Sequence, residues 1–413
     1  MNIIPWDKNA FNGMSFDEID TAINEILKVD ISAYSIEDMH QLFFKHFSKL
    51  PITVKYFPTK GFKDLKLYRA RPCEGVEDNE INSIDTYAGP PWNEDRGIGR
   101  ANWRERNVFY GSDTPYAALM EAKEVYIEKE FFIAKWGFDY EKFKTEHIQV
   151  STLILDNIPR DNPWFEILNW SRMDVAKLQS EIGVNAAEKY IYLFKKISKL
   201  FVDLDKSKYK ITAYLADQRI YFAQNTRSEL YFPLLIYPSV ETKNMHCNFA
   251  IHPFFVKQYM RLETVFHVKL KEITSGFKHG IEKIGLRSGN NEIEWYSLYL
   301  DSSKSSYCIQ SFSCYPSDKN PDLDKIVFKK NNQIISHGEI ILQILEERNY
   351  SDFYELDNIL VEDGLPAVME VKFPLLSINN ITVTIEGIEY KDFTMDVTVY
   401  QAYGYEKVSE VLV

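Results

Sequence analysis

Five short stretches carry side chains that together can do chemistry: Tyr68-Arg69, Gly99-Arg100-Ala101-Asn102, Tyr110, Glu121 and Tyr237-Pro238-Ser239. An arginine offers a planar fork that binds a diphosphate through two parallel hydrogen bonds, and Arg100 sits in a glycine-containing loop, Gly97-Ile98-Gly99-Arg100, able to fold over one. A tyrosine supplies a flat face for a heteroaromatic ring, and a carboxylate held on a helix can face a ribosyl oxocarbenium ion, as carboxylates do in glycosidases. Ser239 follows a strand end and a proline, a place from which a hydroxyl is aimed into a cleft. Taken singly, each residue has an ordinary reading. Glu121 would be a solvated helix residue, the arginines surface ion pairs, Tyr110 one of 26 tyrosines, and Ser239 a turn residue.

The elements that must position these residues are legible around them. Residues 65–71 read as a strand carrying Arg69, and residues 76–106, rich in Gly, Pro, Asn and charge, as a long loop. Val108-Phe109-Tyr110 is a short strand. Thr114 as N-cap and Pro115 at the first helical position start a helix through Ala118, Leu119, Ala122 and Val125, with Glu121 in its second turn. Leu234 to Tyr237 is a fully apolar strand ending at Pro238-Ser239.

In order and spacing the set resembles the RES-domain toxins, a family named for its Arg, Glu and Ser. The corresponding pieces are Tyr68-Arg69, Gly99-Arg100-Ala101-Asn102, Val108-Phe109-Tyr110-Gly111-Ser112, Ala118-Leu119-Met120-Glu121, and Tyr237-Pro238-Ser239 with Asn244 or Asn248 before Phe249-Ala250-Ile251. The resemblance covers roughly residues 65 to 270. It implies an α+β fold with a diphtheria-toxin-like ADP-ribosyltransferase core and a central NAD+ cleft. NAD+ is then the substrate, with no further cofactor and no metal, and the reaction is cleavage of the nicotinamide-ribose bond by hydrolysis or phosphorolysis. Glu121, Arg100, Tyr110 and Ser239 take the catalytic places; Arg69, Asn102 and Tyr237 bind substrate. The implied setting is a toxin-antitoxin system with an antitoxin protein as inhibitor; the length beyond the resembling region raises a second one, phage defence with the chain's own C-terminal part as inhibitor. Two alternatives stay open: an ADP-ribosyltransferase acting on a protein or nucleic acid, and a non-catalytic binding module on the same fold.

Around this core, residues 1–62 read as a helical N-terminal extension, 63–270 as the NAD+-cleaving domain, and 271–413 as a C-terminal α+β accessory domain. Ser15 and Ser35 each precede a helical pattern. Residues 163–203 look helical, with Tyr190, Leu193, Phe194, Ile197, Leu200 and Phe201 forming an apolar stripe that reads as core. Residues 209–222 suit another helix. Further on, 381–385 and 393–400 alternate as half-buried strands, and 340–345 reads as a helix.

Bulk composition sets limits. The chain of 413 residues is 45 % hydrophobic and 15 % aromatic, enough for packed cores. Its net charge of −12 argues against non-specific nucleic-acid binding, which rests on Lys and Arg displacing counterions. No run nears the roughly 18 apolar residues of a membrane helix, and Asp7, Asp17 and Glu18 stand where a signal peptide is basic then apolar. A cytoplasmic protein without membrane partners is expected, and a homo-oligomer is compatible with this. The four cysteines lack CxxC spacing and read as packing residues. Gly97-Ile98-Gly99 does not continue into a dinucleotide fingerprint, because Asn102 holds the third glycine's place. His246, Cys247 and His252 are set aside as metal ligands, since strand neighbours face opposite ways.

Overall fold

The computed structural model describes residues 14–47, 54–90, 95, 97–122, 130–143, 146–153, 155–169, 175–203, 205–221, 231–273, 276–288, 292–300, 303–304, 306–314, 325–336, 359–362, 365–373, 381–391 and 393–408. The chain is a mixed α and β protein that divides into two compact units. The first comprises residues 1–125, 133–265 and 289–292; the second comprises 126–132, 266–288 and 293–413.

The first unit opens with α1 (Phe16–Lys28) and α2 (Ile36–His46), each started by a serine N-cap in a complete capping box, Ser15 with Glu18 and Ser35 with Asp38. Then come β1 (Val54–Pro58), β2 (Lys66–Pro72), the single turn α3 (Asp85–Ala88), β3 (Phe109–Ser112), α4 (Pro115–Ala122), β4 (Glu130–Phe138) and β5 (His147–Thr152). The region expected to be helical, 163–203, holds three helices: α5 (Phe165–Leu168), α6 (Val175–Ile182) and α7 (Val184–Phe201). Gly183 separates the last two at φ +89°, a left-handed conformation that ends one helix and turns into the next. α8 (Tyr209–Ile220), β6 (Tyr231–Pro238), β7 (Cys247–Ile251), α9 (Pro253–Tyr259) and β8 (Met260–Ile273) follow. Val125 and the helix expected over 340–345 lie outside the described residues.

This unit's strands run in the order β1-β5-β6-β7-β3-β2-β4-β8. The β5-β6 pair is parallel and its neighbours are antiparallel, so the sheet is mixed. The stripe on α7 is core: Tyr190, Leu193, Phe194, Ile197 and Phe201 are buried in one cluster with Ile19, Ile26, Met39 and Phe43 of α1 and α2 and with Tyr214 of α8. The helical hairpin α1-α2 therefore shares its apolar face with the two long helices.

In the second unit, β9 (Gly276–Arg287), β10 (Ile293–Leu300), β11 (Ser306–Cys314), β12 (Ile326–Lys330), β13 (Gln333–Ile335), β14 (Ile359–Glu362), β15 (Leu365–Phe373), β16 (Ile381–Ile385), β17 (Ile388–Tyr390) and β18 (Phe393–Lys407) make two antiparallel arrays. One runs β9-β10-β18-β15-β14 with β11 also on β18; the other runs β13-β12-β16-β17. Among the described residues no helix is long and apolar enough to cross a membrane.

Candidate active site

A single cross-strand row builds the floor of a cleft. Tyr68 of β2 pairs with Ser112 of β3, Ser112 with Asn248 of β7, and Asn248 with Tyr237 of β6. Residues directly opposite across a sheet project from the same face, so four polar side chains from distant parts of the chain line up side by side. All four border a cavity of about 320 Å³, together with Arg69, Arg100, Tyr110, Glu121 and Tyr209. Glu121 is the one carboxylate among the described residues that line it.

α4 carries Glu121 to the cleft. Thr114 caps the helix through the bond from the Ala117 amide to its hydroxyl, 3.2 Å, and Pro115 occupies the first helical position, as expected from the sequence. Ala118 and Ala122, too small to fill the space in front of the sheet, leave the cavity open. The Glu121 side chain is exposed, yet its Oε1 accepts from the Ser239 hydroxyl at 2.6 Å and from Asn248 Nδ2 at 2.7 Å. The Ser112 hydroxyl donates to Asn248 Oδ1 at 2.7 Å, which leaves the amide nitrogen facing Glu121. Of Asn244 and Asn248, the sequence alternatives, it is Asn248 that reaches the site. Asn244 instead sits at φ +64° in the turn after Ser239, and its carbonyl accepts from Asn162.

Ser239 is fully buried. It also accepts from the Thr242 amide at 3.3 Å, so its one proton is directed at the carboxylate. The sequence suggested a hydroxyl aimed at a ligand; here it holds Glu121.

Tyr110 and Asn102 also form one unit. The Tyr110 hydroxyl accepts from the Ala101 amide at 2.8 Å and donates to Asn102 Oδ1 at 3.0 Å, tying the arginine loop to β3. Gly99 is required under this contact, because a Cβ there would stand 2.3 Å from Asn102 Oδ1 and 3.0 Å from the Tyr110 hydroxyl. Burial pushes the Tyr110 phenol well above its ordinary value, and burial, with Tyr110 and Glu121 nearby, does the same to Tyr237. Both remain neutral, presenting rings and hydroxyls rather than charge.

The two arginines differ. Arg100 donates through Nη1 to the carbonyls of Phe201 and Asp203 at the end of α7, and through Nη2 to the Tyr209 hydroxyl at 3.2 Å, with its guanidinium 5.0 Å from the Tyr209 ring centroid. The Phe201 carbonyl is one of the acceptors a helix C-terminus leaves unsatisfied. The fork expected to clasp a diphosphate thus cross-links the loop to α7. Arg69 donates only through Nη1, to the Tyr110 carbonyl at 3.2 Å; its Nε and the Tyr68 hydroxyl are buried without a hydrogen-bond partner among the described residues. Burial, then the charge of Arg71, draws the Arg69 guanidinium down to about 10, still protonated at neutral pH. Unsatisfied donors beside a cavity are places where a ligand's acceptors fit.

Sequence reasoning missed Tyr209 and the role of Ser112. Ser112 stands two residues after Tyr110 on one strand and so shares its face, which the spacing could have shown. Tyr209 begins a helix with no motif around it, and nothing local marks it.

His246, Cys247 and His252 have separate tasks. His246 Nδ1 lies 3.5 Å from Asp113 Oδ1, the Cys247 thiol is pushed well up by burial, and His252, drawn down to about 4 by burial, accepts from the Phe254 amide and caps α9. In the second unit, His267 stands between two carboxylates, Nε2 at 3.0 Å from Glu130 and Nδ1 at 3.7 Å from Glu282. Each ring nitrogen faces its own carboxylate.

No protein-family model matches the chain, and no curated protein matches it either.

Proposed function

We propose that the cleft cleaves NAD+ at the nicotinamide-ribose bond, on a RES-like domain with an ADP-ribosyltransferase-like core. The observation that carries this reading is the Glu121 carboxylate, fixed by Ser239 and Asn248 in a cavity also bordered by four tyrosines and two arginines. About 320 Å³ falls at the lower end of ligand pockets and suits the nicotinamide-ribose end of the dinucleotide.

In this reading nicotinamide leaves with the electron pair of the C1′–N bond, and positive charge develops on the ribosyl C1′ and ring oxygen. Glu121 stabilises that charge electrostatically. Because Ser239 and Asn248 already orient it, little reorganisation is needed as the charge forms. Tyr110 and Tyr237 flank the departing ring with neutral aromatic faces. Water or phosphate then forms the new C1′–O bond, and with water a proton is released. The reading places the activity in NAD+ depletion by a toxin or a defence protein, held silent by an antitoxin or by the chain's own C-terminal unit.

The test is nicotinamide release from NAD+ by purified protein, with and without phosphate, beside Glu121→Gln. Release that the variant loses supports the reading, and dependence on phosphate assigns phosphorolysis. A folded protein that releases none, also when truncated near residue 270, refutes it.

A further inference from the structure

Three strands that lie side by side, β4, β8 and β9, each bring one metal-ligating side chain to the same spot: Glu130, His267 and Glu282. All three residues belong to the second unit, and none of them borders the cleft around Glu121. One ring nitrogen and one oxygen from each carboxylate lie within 4.8 Å of one another. His267 Nε2 is 3.0 Å from Glu130 Oε2, and Nδ1 is 3.7 Å from Glu282 Oε2.

The three differ in freedom. The imidazole is largely buried and packs on Phe132, ring centroids 5.3 Å apart, so its position is set by the fold. Glu130 is oriented from behind: Lys269 lies 3.1 Å from its Oε1, which leaves Oε2 turned to the ring. A ligating carboxylate commonly has its second oxygen held in this way by an outer partner. Glu282 is the most exposed of the three, and among the described residues it forms no ion pair with a lysine or arginine. Two carboxylates therefore face one ammonium, and the surplus negative charge collects at the imidazole.

We propose that Glu130, His267 and Glu282 bind a divalent transition-metal cation of the zinc class. Zinc at about 2.0–2.2 Å from each donor holds tetrahedral ligands about 3.4 Å apart. The Nε2–Oε2 pair is already near that spacing, and the exposed Glu282 side chain closes the set with a movement on the order of 1 Å. The imidazole gives the ion one of its two nitrogens, and water takes the fourth position. One nitrogen with two oxygens favours zinc over calcium, which takes six to eight oxygens. The cation ties β9 to β4 across β8. This site stands apart from the NAD+ reading and does not depend on it.

The experiment is calorimetric titration of the full-length protein, first dialysed against a chelator, with zinc chloride and separately with calcium chloride. Wild type, His267→Gln and Glu282→Gln are compared, each with thermal melting in the presence and absence of zinc. The expected result is one zinc ion per chain, bound more tightly than calcium, with a melting temperature that rises on zinc addition. Each variant should weaken zinc binding by about tenfold or more and lose that rise. The exposed Glu282→Gln keeps the test open should the buried His267→Gln fail to fold. No zinc binding by wild type overturns the site and leaves a protonated imidazole pairing with both carboxylates. Zinc affinity that is unchanged in folded Glu282→Gln, or calcium bound more tightly than zinc, also overturns it.

Discussion

Ser239 and Glu121 stand 118 residues apart in the chain and share a 2.6 Å hydrogen bond. The serine closes a strand of the mixed sheet and the glutamate rides the second turn of a helix, so the bond fixes α4 against the end of β6. Asn248 makes the second bond to the same oxygen, which leaves Oε2 of Glu121 for whatever occupies the cleft.

Replacing Glu121 with Gln keeps an oxygen that can accept both bonds and removes only the charge. Nicotinamide release is expected to fall by about 10² to 10³, the usual cost of losing one preorganised electrostatic group. Stability is expected to change by no more than about 0.5 kcal/mol, since the side chain is exposed. Chemical denaturation beside the rate assay checks both, and a variant that retains full turnover removes Glu121 from the mechanism.

Asn248→Ala removes one of the two bonds that aim Glu121 and strands the buried Ser112 hydroxyl, whose acceptor it is. Turnover should drop about tenfold and stability by about 1–3 kcal/mol. Adding Ser112→Ala to the same protein should recover part of the stability and none of the turnover, which urea unfolding and the rate assay can separate.

Arg106 holds Asp217 through two bonds of 2.9 Å, and Asp217 is only 4 % exposed. Burial raises the Asp217 carboxyl, and Arg106 pulls it partly back. A carboxyl raised in the folded state adds stability that is full below the unfolded value, about 3.9, and is lost as pH rises through the folded value. Without Arg106 the folded value climbs further and the loss deepens. Arg106→Ala should therefore cost about 3–5 kcal/mol near neutral pH and much less near pH 4. Unfolding curves at the two pH values test this, and Asp217→Asn in the same background should restore the neutral-pH loss.

Lys210 is a hub between the helical hairpin and the site. Its ammonium donates to the carbonyls of Ile31, Ser32 and Tyr34 between α1 and α2, and lies 5.8 Å from the ring centroid of Trp103 in the arginine loop. Lys210→Met leaves the three carbonyls without this donor. Hydrogen exchange should rise first across residues 16–46, then at 97–106; protection that is unchanged in both segments would show that the apolar contacts alone hold the hairpin.

What was legible in the sequence was local. Thr114-Pro115 starts α4 because a threonine caps and a proline suits the first turn; Ser15 and Ser35 start α1 and α2 for a related reason; and the stripe on α7 is buried because its period matches a helix face. Order and spacing also picked out Arg69, Arg100, Asn102, Tyr110, Glu121, Tyr237 and Ser239, which the structure gathers around one cavity or bonds directly to its walls. The sequence by itself thus determined the capped helices and the strands that carry the site, the kinds of groups available and the net charge. What those groups do to one another was decided only by tertiary structure. Ser239 turned to Glu121 rather than outward, Arg100 became a cross-link because α7 ends beside it, and Arg69 kept its donors free because strand pairing brought it a carbonyl and no carboxylate. The physical reason is that capping and periodicity act within a few residues, whereas a polar side chain takes its partner from whatever the sheet register and helix packing set within about 3 Å.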